Sequence, residues 1–209
     1  MKKTPKLWEA TYEADTDSQL LNAYQKWAAL YDKDTCDTMG YVGPQVAAKQ
    51  LDYHLDSKAC RVLDAGCGTG LVGKVLSGLG YQNLDAMDFS QDMLEEAEKK
   101  SVYDRLFNED MNKPLSFDDN TYDATICVGT FTYAHVGPEA FSELLRVTRP
   151  GGYITFTIRD GAYEAYGYRD KMLDMEALDQ WELQELRQEN YLVHEGVTAK
   201  FFTYQVQDD

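Results

Sequence analysis

The segment Arg61-Val62-Leu63-Asp64-Ala65-Gly66-Cys67-Gly68-Thr69-Gly70-Leu71 constrains this chain more than any other. A short apolar run with a β-branched residue passes an acid, meets three glycines at alternate positions, and gives way at Leu71 to a new apolar periodicity. That pattern predicts a buried strand, a tight turn and a helix start. Glycine lets a backbone take positive φ or lie directly against a ligand, and Gly66 and Gly68 stand where strand becomes turn. The turn is expected to carry a ligand.

The residues around this turn alternate between strand and helix patterns. Before it, Asp17 can cap a helix on which Leu20, Leu21, Tyr24, Trp27, Ala28 and Tyr31 share one aromatic face, and Pro44 can open a second helix. After it, Leu71, Val72, Val75, Leu76 and Leu79 form a helical stripe ending at Gly80, followed by a strand from Asn83 to Asp88 and a helix bearing Met93, Leu94 and Ala97. Strands are expected again at Asp104 to Glu109, Tyr122 to Val128 and Tyr153 to Ile158, with a helix from Pro138 to Val147. Residues 160–170 read as a tyrosine-rich loop and Lys171 to Gln180 as a short helix. Trp181 to Leu186 and Lys200 to Val206 read as strands whose link is too short for a helical crossover, so they are expected to run antiparallel.

The expected fold is therefore α/β, a doubly wound, Rossmann-like sheet of seven strands, mostly parallel with an antiparallel last strand. Residues 1–209 read as one domain, with 1–57 an N-terminal helical extension and lid and 58–209 the core. Residues 1–16 read as a loose terminus. In such a sheet ligands sit at the carboxyl ends of the strands, which places Asp88 beside the glycine turn.

Composition narrows the function classes. No run approaches the ~18 apolar residues of a membrane span, and the start lacks the apolar core of a secretory signal, so a cytoplasmic location is the expectation. With 20 basic and 36 acidic side chains the formal net charge is −16. That field repels a phosphate backbone and disfavours nucleic acid as a partner. Cys36, Cys60, Cys67 and Cys127 lack the close pairing of a zinc site, so no metal is expected and the cysteines read as reduced thiols.

Two nucleotide readings compete for the turn, because dinucleotide dehydrogenases and methyltransferases both follow their first strand with glycines and place an acid about 20 residues on. A dehydrogenase needs G-x-G-x-x-G with pyrophosphate at the helix N-terminus. Here the glycines alternate and Asp64 precedes them, an acid that would repel pyrophosphate but suit an ammonium or a sulfonium. Val62 to Gly70 resembles motif I of class I S-adenosylmethionine-dependent methyltransferases. Asp88-Phe89, Asp110-Met111 and Arg149-Pro150-Gly151-Gly152 resemble later motifs of the same family in the same order. Tyr24 to Asp32 and Tyr41-Val42-Gly43-Pro44 are similar to the entry region of the methyltransferase-like proteins named after the Williams–Beuren chromosomal region.

The resemblance implies S-adenosylmethionine as cofactor. It implies that Gly66, Cys67 and Gly68 lie against the methionine part, that Asp64 holds its amino end, and that Asp88 binds the ribose. Phe89 and Met93 would line the adenine pocket, Asp110 would accept from the adenine amino group with Met111 beside it, and Val128, Gly129 and Thr130 would flank the methyl group. Trp27 and Tyr31 are expected to close over the ligand. The catalytic residues stay unknown: methyl transfer needs positioning more than a general base, and His135 and Tyr133 are weak candidates if a proton must leave. The expected activity is methyl transfer to an unidentified small-molecule acceptor. A non-catalytic protein that binds the cofactor or its demethylated product is the alternative, and a dehydrogenase comes third. Oligomeric state is not legible.

Overall fold

The computed structural model describes residues 16–132 and 136–208, together with 7, 9–12 and 14. Seven strands form one sheet in the order β3-β2-β1-β4-β5-β7-β6. The strands are β1 (Arg61–Ala65), β2 (Asn83–Asp88), β3 (Arg105–Asn108), β4 (Tyr122–Phe131), β5 (Thr148–Arg159), β6 (Trp181–Leu192) and β7 (Val197–Val206). β1 pairs in parallel with β2 on one side and β4 on the other, so the chain reverses its winding direction at the end of β1. β7 pairs antiparallel with both β5 and β6. The expected doubly wound sheet is present, and β7 is the strand that opposes the rest.

Helices cover both faces because successive strand residues point to opposite sides. Val62, Leu84, Ala124 and Ile126 pack toward α3 (Gly43–His54) and α4 (Leu71–Gly78), with Ala86 meeting α5 (Gln91–Glu98). On the other face Leu63, Cys127, Phe156 and Phe202 meet α6 (Ala140–Val147) and α8 (Tyr168–Ala177). α2 (Asp17–Asp32) starts at the N-cap Thr16, whose hydroxyl accepts from the Gln19 amide at 3.3 Å.

Local expectations are corrected at residues 160–170, at the end of β4 and in the N-terminal stretch. Residues 160–170 form the short helix α7 (Ala162–Ala165) and the start of α8, not a loop over the sheet edge. Tyr168 is fully buried against Phe131 and Phe141 and donates its hydroxyl to the Val136 carbonyl at 2.7 Å, so the tyrosine closes the core. β4 runs past Val128 to Phe131 through a register shift against β5. Residues 33–39, which carry no apolar period, wind as a π-helix (Lys33–Met39) ending at the left-handed Gly40. In the N-terminal stretch, Glu9–Tyr12 forms one helical turn, α1.

Phe156 sits at the centre of the aromatic face, with ring centroids 4.9 Å from Phe141, 5.3 Å from Phe202 and 6.0 Å from Trp181. Truncation there leaves a cavity that several rigid rings must collapse around. Phe156→Ala is expected to cost ~3–5 kcal/mol, measured by urea denaturation; a loss below about 1 kcal/mol would show that the stack repacks freely.

Candidate functional site

The turn after β1 is tied to β2 by its own amides. Gly66 and Cys67 both donate to the Met87 carbonyl, at 2.8 and 2.9 Å, and Gly68 donates to Asp88 Oδ2 at 2.8 Å. Only a backbone at positive φ can present successive amides this way, and Gly66 and Gly68 have φ of 71° and 52°. A side chain at Gly66 would collide with Thr130 Oγ1, while the space over Gly68 is open. The bare backbone therefore faces a cleft of about 1050 Å³ of empty volume, part of it continuous with solvent.

The walls of that cleft collect most of the sequence candidates. Gly66, Cys67, Gly68, Asp88, Phe89, Met93, Asp110, Met111, Val128, Gly129 and Thr130 line it, and Tyr31 reaches it from α2. Two candidates stand behind the wall. Trp27 is buried in the core cluster, donating its indole N–H to Asp34 on the π-helix at 2.9 Å with its ring 4.6 Å from that of Tyr31. Asp64 lies beneath the turn, where its Oδ2 accepts the Tyr103 hydroxyl at 2.5 Å. Tyr133 and His135 lie outside the described residues.

The electrostatics of the site are one-sided. Of the described residues lining the cleft, Asp17, Asp88, Glu109 and Asp110 are acidic and none is basic. Asp64 is almost completely buried, its Oδ1 has no hydrogen-bond partner among the described residues, and burial raises its carboxyl to about 7. The Tyr103 bond opposes that rise and the neighbouring Asp88 charge adds to it. Asp88 is raised as well, by burial first, although the Ser90 and Gly68 amides hold its two oxygens at 2.8 Å each. Asp110 goes the other way. Against the effect of partial burial, the Asn112 amide and the Lys113 ammonium 3.0 Å away keep it ionised below its usual range.

Sequence reasoning missed several residues that build the site. Tyr103 accepts from the Gly73 amide at 3.1 Å and occupies the space a Gly73 side chain would fill. Asp32, at the end of α2, accepts from Thr69 Oγ1 at 2.5 Å and pairs with Lys100 at 2.8 Å, and Lys100 also donates to the Thr69 carbonyl at 2.6 Å. α2 is thereby fastened to the glycine turn. Tyr24 and Tyr41 also face the cleft. Gly73, a glycine inside α4, is the one sequence signal of a close neighbour there.

Residues 63–156 match the family model of the methyltransferase domain. Over 145 residues the chain is 36% identical to methyltransferase-like protein 27 of Homo sapiens, covering 68% of this chain and 58% of that protein. The chain carries a class I S-adenosylmethionine-dependent methyltransferase domain. It is also 38% identical over 145 residues to a malonyl-[acyl-carrier protein] O-methyltransferase of Buchnera aphidicola, covering 69% of this chain and 56% of the relative. In each case it spans less than two thirds of the relative's length. The fold is that of magnesium protoporphyrin IX methyltransferase from Synechocystis PCC 6803, at 14% identity and a TM-score of 0.62, over 97% of this chain and 90% of that one.

S-adenosylmethionine is the cofactor of this domain, and the residues present fit it. Its sulfonium and ammonium are the charges that a cleft walled by Asp17, Asp88, Glu109 and Asp110, with the unsatisfied Asp64 carboxyl beneath its floor, favours electrostatically. Without such a cation Asp64 costs stability. The folded chain keeps a proton on Asp64 up to about pH 7, whereas the unfolded chain releases it near the ordinary value of 3.8, so stability falls as pH rises across that window. Asp64→Asn is therefore expected to stabilise the ligand-free protein at pH 8, with the gain shrinking toward pH 5. Denaturation curves at the two pH values check this, and a gain independent of pH would remove Asp64 as its source.

Proposed function

We propose that this chain transfers the methyl group of S-adenosylmethionine to a small-molecule acceptor. The observation that carries the reading is the meeting, in one cleft, of the open glycine backbone at Gly68 with Asp88 and Asp110 at the ends of the next two strands. In this reading Asp88, with its oxygens already aligned by two amides, accepts from the ribose hydroxyls. Asp110 and Met111 hold the adenine end, and Val128, Gly129 and Thr130 flank the reacting centre. The sulfonium supplies an activated methyl group, so the protein's task is to align donor and acceptor and exclude water. A small acceptor suits the negative field, which opposes a polyanion.

Incubation with methyl-labelled cofactor across a panel of small acids, amines, phenols and RNA tests the proposal. Label in a small acceptor supports it, and label in RNA overturns the acceptor class. Tight cofactor binding with transfer to no acceptor would support the non-catalytic binder instead. Asp88→Ala is expected to weaken S-adenosylhomocysteine binding by ~1–3 kcal/mol in calorimetry, and unchanged affinity would take Asp88 out of the ribose site.

Residues 17–57 act as the lid in this reading, with Asp32 as its fastening. Asp32→Ala should leave the fold intact but speed proteolytic cleavage in α2 without cofactor. Equal cleavage rates in both proteins would reduce Asp32 to a surface ion pair.

A further inference from the structure

Two phenols from distant parts of the chain meet at the end of β4. Tyr41 follows the π-helix and Gly40, and Tyr191 lies near the end of β6, 150 residues later. Both are buried, their rings meet edge-on at 4.9 Å and 70°, and their hydroxyl oxygens are 3.2 Å apart. The backbone clamps Tyr41 on either side. The Val42 amide donates to the Tyr191 carbonyl at 3.1 Å and the Val193 amide to the Gly40 carbonyl at 3.0 Å, around a bridge between Tyr41 and Leu192. Gly129, at φ 88°, leaves room for them: a β-carbon there would lie 2.8 Å from the Tyr41 oxygen and 3.0 Å from that of Tyr191.

Packing alone does not call for these oxygens. A phenylalanine fills the same volume without the cost of burying a hydroxyl. Tyr41 lines the cleft, and its oxygen sits against Gly129, one of the residues read above as flanking the reacting centre. Resting on that reading of the cleft, we propose that the Tyr41 hydroxyl, oriented by Tyr191, recognises the positive charge of the methyl donor and discriminates it from the neutral demethylated product. When Tyr41 donates its proton to Tyr191, the oxygen lone pairs remain for a cation in the cleft. They stabilise a sulfonium and its polarised methyl group, and they offer a neutral thioether little. Burial and the neighbouring Tyr191 and Tyr31 keep the phenol protonated well beyond its ordinary range, so it is not itself a phenolate nucleophile beside an activated methyl group. Tyr41 thus meets the charge of the donor directly, and Tyr191 is the positioning residue that orients it.

Calorimetry with S-adenosylmethionine and with S-adenosylhomocysteine on wild type, Tyr41→Phe and Tyr191→Phe separates the possibilities. Tyr41→Phe is expected to weaken S-adenosylmethionine about 3–10-fold and S-adenosylhomocysteine less than about twofold, with Tyr191→Phe shifting the ratio the same way by less. A purely structural role would move both ligands together, so equal losses, or no loss in either, overturn the proposal. Should Tyr41→Phe fail to fold, an unchanged ratio in Tyr191→Phe overturns it alone. Wild type that binds neither ligand defeats the cofactor reading itself, a result distinct from binding without discrimination.

Discussion

The hydrogen bonds from Gly66 and Cys67 to the Met87 carbonyl are the constraint on which the site depends. They fold the end of β1 across to β2 before the helix begins, and they can form only because glycine accepts the φ values involved. Once the turn is fixed, the Gly68 amide meets Asp88, Cys67 and Thr69 face the cleft, and Thr69 becomes the anchor for Asp32 on α2. The sheet supplies the location, since β1 is the strand flanked by β2 and β4 where the winding reverses.

The protein treats its buried acids in two ways. Asp85 on β2 is almost completely buried, yet Arg61 and Arg105 reach it at 2.8 and 2.7 Å and the Tyr122 hydroxyl at 3.1 Å. Its charge is matched within the chain. Asp64 and Asp88 have neutral donors only: a phenol for one and two amides for the other. An acid compensated internally is matched within the fold, whereas acids left to neutral donors keep an uncompensated negative charge at the glycine turn, with Asp88 open to the cleft and Asp64 beneath it.

The sequence made legible what local backbone chemistry decides. The glycine turn, the acid closing β2 and the acid after β3 follow from spacing and strand pattern, because each is fixed within a few residues of its own strand. The parts that escaped are joined across the fold: Tyr103 to Asp64 over 39 positions, Asp32 to Thr69 over 37, and Tyr41 to Tyr191 over 150. No periodicity encodes such pairs, since they exist only after the sheet has set the distances. The burial of Trp27 has the same origin. On a helical wheel it shares a face with Tyr31, but its indole is taken up by Asp34 on the π-helix and by the core cluster, while Tyr31 reaches the cleft. Residues 33–39 escaped because a π-helix has no sequence signature of the kind an amphipathic α-helix has.

The fastening of α2 to the glycine turn has a kinetic consequence. A helix pinned at Thr69 and Lys100 supplies Leu20, Tyr24 and Tyr31 to the wall of the cleft in which the proposed donor rests. In the lid reading proposed above, the donor enters only while the helix is unfastened. Throughput would then be limited by how often two polar contacts at Asp32 let go, a quantity that the chemistry of the methyl group does not enter.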